Sequence, residues 1–296
     1  MSAATQEQGK TRYVYDLGGI DRAPPAPRSA EVEVNARGVT VGGGRASVAL
    51  LRAPRGSGCA VQTSGAEQFL FVLLGRLEAD IDGCIVAVPS QHALHVPAGM
   101  PHALHASEDS SYIVAVSRTA QAPVEHAWRE NPAGMAVART QRTTGGSVRF
   151  VYAIDAIDAV PQGASSAKVV PKNFVSGKSS SFGAALSGAS LHVGVIHKAR
   201  GSGAKLHTHP NEQFNVVLDG RMLGEIDGAP MNVTRYGLVH MPAGVPHCTM
   251  ASAEGDITVF VVKDTSHGLS GPPVDGIEDG PRYLPGFGPA KPAAEK

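Results

Sequence analysis

Three histidines and a glutamine carry most of the chemistry that can be read in this 296-residue chain. In His207-Thr-His209-Pro-Asn-Glu-Gln213 the two histidines are two residues apart, and side chains two apart on a strand share a face. His207 and His209 can therefore converge on one ion. Gln213 has the same parity as that pair, and His247 arrives on a later segment, after the turn Pro242-Ala-Gly-Val-Pro. Together they make a four-ligand, nitrogen-rich site for one divalent transition metal on a β scaffold. Imidazole suits iron, nickel and zinc, and manganese fits as well, so the ligand types do not name the metal.

These residues resemble the two motifs of the cupin superfamily of small β-barrels. The first runs through Gly201, His207, His209, Gln213 and Gly220, and the second through Pro242, Gly244 and His247, with every spacing in register. The departure is Gln213, where most of the family carries a glutamate, which removes that carboxylate as a proton carrier. The resemblance implies an all-β fold of jelly-roll, double-stranded β-helix barrels.

The pattern occurs twice. Arg55-Gly-Ser-Gly recurs as Arg200-Gly-Ser-Gly, and Glu67-Gln-Phe69, Ile81-Asp-Gly83, Pro97-Ala-Gly99 and Pro101-His102 recur at the same offset. Such self-similarity marks a tandem duplication. Upstream, Arg12-Tyr-Val-Tyr15 echoes Arg149-Phe-Val-Tyr152. The chain thus looks like a bicupin, with an N-terminal barrel over 1–145, a C-terminal barrel over 146–263 and a Pro/Gly-rich tail over 264–296. Two barrels of this kind are expected to pack face to face, with further association into a homo-oligomer open.

Comparing the copies separates scaffold from chemistry. Gln62 and Ser64 stand where the second copy has His207 and His209, leaving Gln68 and His102 as two scattered ligands that would not hold a metal tightly. The metal site is therefore assigned to the second barrel alone. Lys205, Asn215 and Thr249 replace Ala60, Leu70 and Leu104, and polar groups inside a barrel need a reason, because unpartnered they cost about 1–3 kcal/mol each. A pocket around the metal supplies one. His240 is a further pocket candidate, although His95 repeats it and Glu67 repeats Glu212, which favours shared structural contacts. His192 and His197 stand where the first copy has Ser47 and Arg52 and are candidates for the pocket rim.

The elements that must hold these groups are strands. Asp82-Gly83 and Asp227-Gly228 read as hairpin turns between alternating segments. Acidic and basic residues balance at 26 each, which argues against nucleic acid or an anionic membrane as partner. The polar N-terminus has no apolar signal region and no stretch is long enough to span a bilayer, so a cytoplasmic location is expected. Cys59, Cys84 and Cys248 give no disulfide framework and read as buried or half-buried residues. Ala23-Pro-Pro-Ala-Pro27 lacks strand alternation, Glu125-His-Ala-Trp128-Arg129 reads as a connector between barrels, and Tyr283, Leu284 and Phe287 could clamp the tail.

Three neutral imidazoles and a neutral amide leave a divalent ion its full charge, favouring Lewis-acid chemistry on a small, anionic, chelating substrate. The first expectation is a redox-neutral enzyme, an isomerase, lyase or hydrolase, with Lys205 and Asn215 binding remaining substrate oxygens. An iron-dependent dioxygenase and a non-catalytic binder of small molecules are the alternatives.

Overall fold

The computed structural model describes residues 11–18, 29–35, 37–118, 148–154, 164–170, 172 and 178–289. The expectations for Ala23–Pro27 and for the connector around Trp128 lie outside these residues. The described residues form strands and turns with no α-helix, and no helix among them is long and apolar enough to cross a membrane.

Short alternating strands and positive-φ turns build two barrels of two sheets each. In the first, strands 151–152, 93–96, 68–74, 110–117, 46–53, 38–42 and 31–35 form a seven-stranded sheet, in that order. It closes on a four-stranded sheet ordered 58–62, 102–106, 76–81 and 84–89. The second barrel repeats this, with a seven-stranded sheet ordered 14–16, 237–241, 213–219, 257–264, 191–198, 185–187 and 168–170. Its other sheet is ordered 229–233, 222–226, 247–251, 202–203 and 282–283. Both hairpins read from Asp-Gly form: Asp82 and Gly83 have φ of 50° and 79°, Asp227 and Gly228 have 52° and 73°, the mirror-image turn that matches strand twist.

The ends of the repeat do not stay with their own barrel. Val14–Asp16, from the first copy, pairs with Gly237–Met241 of the second, while Val151–Tyr152 pairs with Ala93–Val96 of the first. The echo between Arg12–Tyr15 and Arg149–Tyr152 is therefore a reciprocal strand exchange. Tyr15 and Tyr152 are each about 1% exposed and close the same local turn through their hydroxyls, donated to the carbonyls of Arg12 and Arg149.

The two seven-stranded sheets face each other. One apolar cluster runs through both, including Phe69, Phe71 and Ile113 from one barrel and Phe214, Val216 and Phe260 from the other, with Phe71 and Phe260 stacked at 5.2 Å. At the rim of this interface sits a matched pair of buried carboxylates. Glu67 accepts from the backbone N–H of Ala189, Ser190 and Leu191 at 2.7–2.8 Å and from His95 Nε2 at 3.0 Å. Glu212 does the same across the pseudo-dyad, accepting from Gly44, Arg45 and Ala46 at 2.8–3.0 Å and from His240 Nε2 at 2.8 Å. Gly43 and Gly188 are needed beside them, since a Cβ there would fall 2.1 and 2.2 Å from a carboxylate oxygen.

Burial raises the pKa of both carboxyls, but the histidine hydrogen bonds and the backbone N–H groups outweigh it and hold each below the ordinary glutamate value. A carboxyl depressed in the folded state contributes stability above the unfolded pKa and loses it as pH falls through the folded one. Glu67→Gln and Glu212→Gln should each destabilise the chain by about 2–4 kcal/mol at neutral pH, because an amide N–H would face backbone donors. Denaturant unfolding at pH 7 and again near pH 4 checks this, the difference from wild type shrinking in acid.

Candidate metal centre and pocket

The strand Gln213–Asp219 begins at the candidate ligand Gln213, and the strand His247–Ala251 begins at His247. His207 lies just before, in a single bridge to His247, with the backbone N–H of each donated to the carbonyl of the other at 3.0 and 2.9 Å. Gly244 hydrogen-bonds the carbonyl of His209 and takes φ of 78°, so the Pro/Gly turn ties the second motif to the first.

The structure brings the side chains together. Ring nitrogens of His207, His209 and His247 all lie within 4.8 Å of one another, the one such cluster among the described residues. Each ring spends its Nδ1 on a backbone carbonyl: His207 on Lys205 at 2.8 Å, His209 on Asn211 at 3.0 Å and His247 on Val245 at 2.8 Å. A neutral imidazole has one N–H, so these bonds fix the tautomer and leave three Nε2 lone pairs free. Burial lowers all three pKa values, His207 and His209 to about 4 and His247 well below the ordinary value, keeping them neutral as metal ligation requires.

The donor set fits a metal on two observations. His247 Nε2 is buried with no hydrogen-bond partner, a cost that a coordinated cation removes. Gln213 Oε1 stands 3.1 Å from His209 Nε2, while its own Nε2 donates to Asn215 Oδ1 at 2.7 Å. Two acceptors face each other there, as ligands of one ion do. Turning both amides over would make that contact an ordinary hydrogen bond, so the orphaned His247 nitrogen carries the argument.

A cavity of about 120 Å³ adjoins His207, Gln213 and His247. Asn215 and Thr249 line it, whereas His240 does not: its ring stacks on Phe214 and its Nε2 is held by Glu212. His240 is thus a structural partner, as its repeat in His95 suggested. His192 and His197 do not line the cavity either. Lys205 reaches the rim, but its ammonium is turned to the tail, 2.9 Å from Asp275, 2.7 Å from Asp279 and 3.0 Å from the Ile277 carbonyl.

Two lysines that sequence reading missed stand inside. Lys198 and Lys263 are each 5% exposed and line the cavity. Lys198 Nζ donates to the Thr249 carbonyl at 2.8 Å and to the Thr249 hydroxyl, and Lys263 Nζ donates to the Leu269 carbonyl at 2.8 Å. Burial lowers Lys198 to about 8 and Lys263 to about 7. Strand pairing equates Lys198 with Ala53 and Lys263 with Val116, since Gln213 faces Lys263 as Gln68 faces Val116. The contrast between Ala53 and Lys198 was visible in the aligned copies.

The tail walls the cavity. Leu269, Gly271 and Pro273 line it, Tyr283 pairs with Ser202, and the Phe287 ring occupies the space a side chain at position 201 would need. Glu278, also on the rim, is paired with Lys178 at 3.3 Å.

In the first barrel the corresponding space is filled. Leu70, Leu104 and the 1%-exposed Tyr112 join one apolar cluster, and Gln62 stands 3.5 Å from His102. Cys59 and Cys248 are buried but Cys84 is exposed, because it opens the outermost strand beyond the Asp82-Gly83 turn.

Comparison with known proteins agrees with this architecture. The family model for the cupin domain (Cupin_2) matches residues 194–263. A variant of Bacillus subtilis oxalate decarboxylase superposes with a TM-score of 0.57 at 11% identity, over 88% of this chain and 79% of that one. The same enzyme, solved in work on its Mn(II) centres, gives 0.57 at 13% identity over the same shares. A cupin 2 conserved barrel domain protein from Leptotrichia buccalis gives 0.52 at 12% identity, over 86% of this chain and 97% of that one. No curated protein matches the sequence.

Purified without chelator, the protein should carry about one equivalent of metal, and the His207→Ala/His209→Ala variant essentially none, as read by elemental analysis. In the metal-free protein, the unfolded imidazoles take a proton below about pH 6.5 that the folded ones refuse. Stability should therefore fall as pH drops from about 6.5 toward 4, and fall less steeply in the double variant, measured by denaturant unfolding across that range.

Proposed function

The chain is a bicupin in fold, with one filled barrel and one polar one, and from that premise we propose that the C-terminal barrel is a metal-dependent active site. His207, His209, His247 and Gln213 would hold one divalent ion there. The observation that carries this reading is the buried, partnerless Nε2 of His247 among three rings whose tautomers are already set for ligation. When bound, a divalent ion held by neutral ligands supplies Lewis-acid polarisation of a substrate oxygen.

The reaction class proposed is redox-neutral: an isomerisation, elimination or hydrolysis of a small anionic substrate. The chain's residues support it in three ways. The neutral ligand set leaves charge for a substrate anion to balance. Asn215 and Thr249 offer hydrogen bonds to a substrate held beside Gln213 and His247. The tail from Leu269 to Pro273 narrows access for water, which strengthens each polar contact inside. The similarity to an oxalate decarboxylase with Mn(II) centres supports a metal enzyme acting on a small anion at the level of fold.

The test is conversion of small hydroxy and keto acids by manganese- or zinc-loaded protein, followed by proton NMR with an oxygen electrode in parallel. Turnover is expected with no oxygen uptake and should fall at least about a hundredfold in the His207→Ala/His209→Ala variant. Oxygen consumption in step with product would replace this reading with the dioxygenase.

A further inference from the structure

Within the second barrel the charged side chains nearest the triad are both cationic. Lys198 and Lys263 are buried, yet neither ammonium is in an ion pair among the described residues. Burying an unpaired ammonium is expensive, and burial draws both amines toward neutrality, a cost that an anionic ligand beside them would remove. The barrel does not require these lysines, because the first copy folds the same strands with Ala53 and Val116 in these places.

The acidic groups nearby are committed elsewhere. Asp264, beside Lys263 in sequence, accepts from Arg45 at 3.1 Å and from the backbone N–H of Ser266 and Glu212. Glu278 pairs with Lys178, and Asp275 and Asp279 pair with Lys205 at the rim. Each ammonium has three donors. Lys198 spends two of them on Thr249 and Lys263 spends one on Leu269, so three N–H donors remain for a ligand.

We propose that Lys198 and Lys263 bind the second carboxylate of a small dianionic substrate whose other end meets the histidine face, so that the pocket selects dicarboxylates over monocarboxylates of the same size. This deepens the reading of the site as an active centre for a small anion and rests on it for the placement of the first carboxylate. Three unspent donors suffice for the two oxygens of a carboxylate. The cavity, at about 120 Å³, suits a short diacid: an apolar cavity of roughly 150 Å³ holds one benzene.

The probes are malonate and succinate, each against its monoamide, which keeps shape and removes one charge. Binding to wild type, Lys198→Met and Lys263→Met is measured by calorimetry, in metal-free and zinc-loaded protein, with metal content determined on the same samples. Wild type should bind at least one diacid about tenfold or more tighter than its monoamide, and each variant should reduce that preference to less than about threefold with metal content unchanged. Lys198→Ala and Lys263→Val, which restore the residues of the first barrel, serve if a methionine variant does not fold. A wild type that binds neither diacid, or shows no preference, overturns the proposal, as does a preference that survives in both variants. Failure of the metal reading shows separately, as absence of zinc uptake, and a lysine-dependent preference in metal-free protein stands without it.

Discussion

The structure turns on two buried glutamates that reach out of one barrel and into the backbone of the other. Glu67 and Glu212 each collect three N–H groups from a turn of the opposite barrel and one histidine from their own. A carboxylate in that position would be prohibitive if any of its partners were missing, so the two barrels are held in one register. The exchanged strands at Val14–Asp16 and Val151–Tyr152 add a second reciprocal tie. The candidate site inherits this rigidity directly, because Glu212 precedes Gln213 in sequence and points the opposite way. A strand fixed at Glu212 by the interface is a strand fixed at Gln213 on the inner face.

Duplication has divided labour between the barrels. The first spends its interior on packing, with Leu70, Leu104, Val116 and Tyr112 in one apolar cluster. The second gives up those contacts at Asn215, Thr249 and Lys263, and its interior cluster is built from fewer residues around Met222, Ile226 and Met241. The apolar interface between sheets and the paired glutamates offset that loss. A polar barrel with a smaller apolar cluster is thus carried by an apolar one, which is a physical reason for keeping a first barrel with no triad of its own.

Much of this was legible in the sequence because two-residue periodicity and motif spacing translate directly into geometry. The repeat at Arg55 and Arg200, the Asp-Gly turns and the convergence of His207, His209 and His247 follow from motif spacing, although the strand expected to carry His207 and His209 is only a bridge at His207 followed by loop up to Gln213. Lys198 and Lys263 were not found, for different reasons. Lys198 ends a strand as Ala53 does, ahead of the first motif glycine at Gly201. Lys263 sits beyond a loop that shifts the offset between copies, so only the pairing of Gln213 with Lys263 and Gln68 with Val116 reveals its counterpart. Lys205 had the right parity but a competing partner, the tail carboxylates, which lie far along the chain. The strand exchange was visible only as an echo, since nothing local in Arg12–Tyr15 states which barrel it joins.

The tail ties Lys205 and Lys263 into one arrangement. Lys205 is drawn outward by Asp275 and Asp279, which brings the stretch from Leu269 to Pro273 across the cavity. That same stretch presents the Leu269 carbonyl to Lys263 and so orients an ammonium that would otherwise have a flexible stem and no anchor. An exposed ion pair at the rim is worth little energy by itself. Its effect here is positional: it sets a wall, and the wall anchors the Lys263 ammonium at the cavity. With neutral ligands and two buried lysines around one cavity, the negative charge that completes the site would arrive with the ligand.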